Sequence, residues 1–85
     1  MVFFSKVEVA FSIPTRGCVI VPVAVTNTVH NGDAIQLRTP GGDVANTRIV
    51  GIEMIKRSPV GFLLSKDVAK ADVPPETEIC VNSWE

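Results

Sequence analysis

The stretch VEVAFSIPTRGCVIVPVAV, from Val7 to Val25, decides the fold of this chain. Its first half alternates. Val7, Val9, Phe11 and Ile13 fall on one face of an extended backbone, with Lys6, Glu8, Ala10 and Ser12 on the other, the period of two that marks a half-buried strand. Pro14-Thr15-Arg16-Gly17 stops it: proline fixes φ and glycine permits a conformation closed to other residues. Residues 18–26 then run on without a charge on either face, as a second strand.

The same vocabulary recurs on both sides. Residues 2–13 make the whole first strand, and 34–39, 44–56, 60–65 and 77–82 read as four more, rich in valine, isoleucine, threonine and phenylalanine. Asn31-Gly32-Asp33 is a tight turn and Pro40-Gly41-Gly42-Asp43 a hairpin tip. Gly51, inside the fourth strand, marks a bulge or bend. The one helix candidate, residues 66–72, has Asp67 as a weak cap and stops at Pro74-Pro75. Many short strands on one small chain leave many edges, and closure removes them. The expectation is an all-β fold: a small closed six-stranded barrel, Greek-key-like, burying Ile20, Ala24, Val50, Ile52 and Leu63 together.

Eighty-five residues make one domain, spanning 1–85. A net charge of −1 argues against broad, salt-driven nucleic-acid binding, which needs a concentrated basic face. Two cysteines, Cys18 and Cys80, each within an apolar run, read as reduced core thiols. The N-terminal MVFFSKVEV lacks the apolar length and cleavage site of a signal peptide, and the longest uncharged run is too short to span a bilayer. A soluble, cytoplasmic protein is expected.

In order and spacing, these residues resemble the second domain of elongation factor Tu and its relatives, the translation-factor β-barrel. That family's acidic strand ends in F-S-I before a small residue, G-R-G and a β-branched run, as VEVAFSIPTRGCVIV does here. Gly32-Asp33 opens the next strand in the family's manner, Gly51-Ile52-Glu53-Met54 is similar to its G-V-E-M-F, and Val60-Gly61-Phe62-Leu63-Leu64 to its V-G-V-L-L. Ala71-Asp72-Val73 stands where the family has an acidic-D-I segment. The ordered run covers residues 7–79, nearly the whole chain. It implies a free-standing copy of one domain, and no G-x-x-x-x-G-K-[ST] loop is present to bind GTP.

In that family the barrel holds the aminoacylated 3′ end of tRNA. By position, the resemblance implies a pocket of Glu8, Phe11, Ile13, Arg16 and Glu53, with Lys56 where the family has a basic residue. The chemistry suits an RNA end: an apolar floor for a base, and Arg16 for a phosphate. Two departures bear on it. Val9 replaces an acidic residue at the rim, and Lys56-Arg57-Ser58-Pro59 is shorter than the family's loop.

Alignment to the family also turns Cys18, Ile20, Pro22 and Ala24 inward and Val19, Val21, Val23 and Val25 outward, with valine at three positions where the family is polar. Such a stripe exposes about 200–300 Å² of apolar surface, near the largest patch usual on a monomer. It is expected to pack on a protein partner or a second copy, or under a terminal segment carrying Trp84.

Catalytic chemistry finds no support. The single histidine, His30, sits in a polar turn away from either cysteine in sequence, and no ligand spacing suggests zinc. No triad or acid–base pair stands out. The reading is a non-catalytic binding module without cofactor or metal, mediating protein–protein contact or self-association. The alternative is a reduced module for an RNA 3′ end or the translation machinery.

Overall fold

The computed structural model describes residues 2–24, 29–54 and 60–81, with Glu53, Met54 and Val60 described by their backbone alone. The strands are β1 (Val2–Ile13), β2 (Gly17–Pro22), β3 (Ala34–Arg38), β4 (Val44–Met54), β5 (Val60–Leu64) and β6 (Glu78–Val81). They close as an antiparallel barrel in the order β1-β2-β5-β4-β3-β6, with β6 returning to β1. Three successive neighbours, β3, β4 and β5, with β6 beside β3, make a Greek key. The expected six-stranded cylinder is what this chain forms.

The turns set the strand ends. Arg16 N–H donates to Ile13 O at 3.0 Å across the Pro14–Gly17 turn, where Gly17 holds φ at +128°. In the 30–33 turn, His30 N–H donates to the Asp33 carboxylate at 2.8 Å and Asp33 N–H to His30 O at 3.1 Å. At the hairpin tip Thr39 N–H meets Asp43 O, and the Thr39 hydroxyl accepts from Asp43 N–H. β2 stops at Pro22 rather than at residue 26, because proline cannot donate to a ladder.

Two long strands hold the cylinder together by changing partners midway. β1 pairs with β6 over its first residues and with β2 from Val7 to Ile13; β4 pairs with β3 from Val44 to Arg48 and with β5 from Ile49 to Met54. The result is two four-stranded sheets, β1-β6-β3-β4 and β1-β2-β5-β4, sharing β1 and β4. Register shifts between Phe3 and Ser5, Val7 and Val9, and Ile49 and Gly51 supply the bends. The last lies beside Gly51, as the sequence suggested.

These bulges correct the simple alternation. Phe4 and Val7 join the core and Ala10 packs against it. Val9, beyond the bulge, is 47% exposed, and Phe11 and Ile13 are half-buried. On β4, Ile49 is inside while Val50 and Ile52 are exposed. Of the five residues expected to be buried together, only Ile20 belongs to the core cluster; Leu63 is buried away from it and Ala24 is exposed. A bulge shifts the inward set by one residue, which a strict period of two cannot anticipate.

The core draws on all six strands: Phe4, Ile20, Ile35, Leu37, Ile49, Phe62, Leu64 and Ile79 are all buried. The Phe4 and Phe62 rings meet at 5.9 Å between centroids, inclined by 56°, a favourable tilted geometry. Each such side chain contributes about 1.5–3 kcal/mol by leaving water.

Residues 65–77 cross one end of the barrel. The expected helix shrinks to a single 3-10 turn, Lys70–Asp72, whose cap is Asp72 rather than Asp67: its carboxylate accepts Ala69 N–H at 3.0 Å. Val68 and Val73 drop into the core and act as a plug. Beyond Pro74-Pro75 the Thr77 hydroxyl donates to Pro74 O at 2.6 Å, and Val7 N–H donates to Thr77 O at 2.8 Å. Among the described residues no helix is long and apolar enough to cross a membrane.

Candidate functional site

The outer faces of β1, β2 and β5 carry the surface that the sequence marked. Across the strands, Phe11 stands opposite Val19 and Val19 opposite Leu63, with Val9 opposite Val21. Directly opposed residues share a face and approach to about 4.5–5.5 Å between Cβ atoms. Val19 and Val21 therefore lie off the core cluster, as expected for outward positions, yet both are buried, at 0% and 4% exposure. Val23 is 60% exposed. The expectation of a bare valine stripe is thus corrected: two of its members are covered within the chain, flanked by Phe11, Leu63 and Val9. The open remainder is Val23 with Val9, on either side of Val21. Val25 and Trp84 lie outside the described residues.

Of the residues matched to an RNA-end pocket, Glu8 and Ile13 border two different cavities. Glu8, exposed at the β1 bulge, lines a cavity of about 190 Å³ with Val9, Lys70, Val73 and Pro74. Ile13 lines a different one, of about 310 Å³, with Thr15, Cys18, Lys66 and Lys70. Arg16 is exposed in its turn and borders neither. Phe11 faces Val19 on the outer side of the sheet. Glu53 stands opposite Gly61 in the β4–β5 ladder, and Lys56 lies outside the described residues.

Both thiols are free and buried. Cys18 belongs to the core; burial pushes its pKa up, Asp72 adds to the rise and Lys70 opposes it. Cys80 sits between Phe3 and Gln36 on the β1-β6-β3 sheet. Lys6 Nζ pairs with Glu76 at 2.9 Å, and that hydrogen bond, with the carboxylate charge, raises the lysine pKa. Both side chains are exposed, so solvent screens the pair. His30 Nδ1 lies 3.8 Å from Asp33 in an exposed turn. Among the described residues no group of three histidine, cysteine or acidic side chains could hold a metal ion.

That residues 65–75 line several cavities is not marked by any local motif. Lys70 and Pro74 both border the cavity beside Glu8, and each borders one more, Lys70 that beside Ile13 and Pro74 one beside Asp43. The segment's only local marks are the spaced valines Val68 and Val73 and the two prolines. No family model, curated protein or solved structure matches this chain.

Proposed function

We propose that this protein is a non-catalytic binding module, a barrel of the translation-factor type that acts by contact with another protein or a second copy of itself. The observation that carries the reading is the outer face of β1 and β2. Val21 is packed there while its neighbours Val9 and Val23 remain open. A face whose apolar packing runs to its margin and stops short of being covered is suited to a partner that continues it. The protein works in the cytoplasm without cofactor, metal or GTP. What supports the kinship is the closed six-stranded barrel, together with the ordered motifs from Val7 to Ile79.

The second reading, a reduced RNA-end or translation-machinery module, rests on Arg16 at an exposed turn with Lys66 and Lys70 around the neighbouring cavity. Salt separates the two. Association through valines persists or strengthens as salt rises and is lost in Val23→Glu. RNA binding falls steeply with salt and is lost in Arg16→Ala. Sedimentation and RNA titration at two ionic strengths decide between them, and a protein that does neither sinks both.

A further inference from the structure

The free edge of β4 lies apart from the valine face and carries a different chemistry. Asp43 O accepts from Thr39 N–H, and Ile49 N–H donates to Asp33 O, so both ends of this stretch turn those groups toward β3. Backbone groups alternate in direction along a strand. Residues 43, 45, 47 and 49 therefore bond to β3, and Val44, Asn46 and Arg48 present theirs to the opposite side. There β5 has already ended at Leu64, and Ser65 N–H takes only Arg48 O, at 3.2 Å. Among the described residues no hydrogen bond reaches the outward N–H and C=O of Val44 or Asn46.

This edge faces a gap rather than a neighbour. A cavity of about 560 Å³ opens between Val44 and Ala45 on one wall and Ala71, Asp72 and Pro74 on the other. A second, of about 290 Å³, adjoins Asn46 and Arg48 across from Ser65 and Asp67. The larger is within the range of ligand sites. Its charged lining is acidic, Asp43 and Asp72, whereas the smaller one sets Asp67 beside Arg48. The opposite wall ends in Pro74-Pro75, which cannot donate to a ladder.

We propose that this seam binds an extended, lysine- or arginine-bearing segment of a partner protein, which adds to β4 as a strand. The partner's backbone bonds alternate residues Val44 and Asn46. Its side chains on one face enter the cavity over Ala45, and its basic residues meet Asp43 and Asp72. A second copy would bring its own Asp43 and Asp72 against the same pair, which favours a basic strand over the edge of another barrel.

The test is selection of the full chain against a random-peptide display library. The strongest binder is then resynthesised with N-methyl groups at alternate residues. The expected binders are extended and basic, and one N-methyl register costs about tenfold or more in affinity while the other is tolerated. Asn46→Pro removes the outward donor, which edge strands tolerate, together with the exposed side-chain bond from Gln36 Nε2 to Asn46 Oδ1, and is expected to abolish binding with the circular dichroism unchanged. Asp43→Asn with Asp72→Asn weakens binding in low salt, and Val23→Glu leaves it intact, which separates this proposal from the valine-face reading. Amide shifts confined to residues 44–48 on peptide addition support the site without any variant. A selection without binders, binders indifferent to N-methylation and to Asn46→Pro, or Asn46→Pro dissolving a dimer of the chain itself would each overturn it.

Discussion

Val21, on β2, and Val23, just past the end of that strand, are two residues apart, yet only Val21 is buried. Replacing each with alanine isolates what that difference contributes. Strand propensity enters at Val21 alone and is worth less than about 1 kcal/mol, so the larger part of the difference reports packing. At Val21 the change withdraws buried methyl groups worth about 1.6 kcal/mol by transfer and leaves a void, for a total near 2–3 kcal/mol. At Val23, already largely in water, the cost is below about 0.5 kcal/mol. With a urea slope near 1 kcal/mol per M for a chain of this size, the Val21→Ala midpoint falls by about 2 M or more. Its melting temperature falls by roughly 8–24 °C, and Val23→Ala barely moves. Urea denaturation followed by circular dichroism measures both. Equal midpoints for the two variants would refute the claim that the outer face of β2 is packed at Val21 and open at Val23.

Other expectations follow from particular contacts. The raised Cys18 pKa means the folded state favours the neutral thiol; its stabilisation is full below the ordinary value of 9.0 and is lost as pH rises through the higher native value. Lys6, raised above 10.5, loses its contribution in the same direction at higher pH, so melting temperature should fall across the alkaline range and Cys18→Ala should flatten the first part of that fall. A native protein whose Cys18 reacts with a thiol reagent as fast as the unfolded chain would contradict its burial. Gly17→Ala forces a side chain onto φ +128° and sets its Cβ 3.4 Å from Leu64 O, at a cost of about 1–3 kcal/mol; calorimetry would show it, and an unchanged melting temperature would mean the turn relaxes freely. Lys6→Ala should leave the melting temperature at neutral pH within error, because the pair with Glu76 is exposed; a large loss would mean that the pair is shielded from water.

Much of the architecture was legible because turns and strand length are local properties. The first strand's limits, Val2 and Ile13, the turns at 14–17, 30–33 and 39–43, and the bend beside Gly51 are each written in a few adjacent residues. Facing was harder. The bulge between Val7 and Val9 depends on the partner strand, so Val9 and Ala10 exchanged the places that alternation assigns them. Ala24, Val50 and Ile52 are apolar yet exposed, because composition marks a strand but not which side of a shared, bending strand meets the interior. Val19 and Val21 are buried on a face whose ladder neighbours, Phe11, Leu63 and Val9, lie on other strands. The unpaired edge at Val44 and Asn46 follows from β5 being half the length needed to cover β4, a comparison between elements that no single stretch contains.

The claim that this barrel acts by protein contact is tested most directly by co-purification from native lysate, with and without nuclease, using the parent chain, Val23→Glu and Asn46→Pro side by side. The account predicts a protein partner or a second copy that survives nuclease and is absent from the Val23→Glu or the Asn46→Pro sample. A complex that disappears with nuclease, or one that Val23→Glu and Asn46→Pro each retain in full, would contradict it.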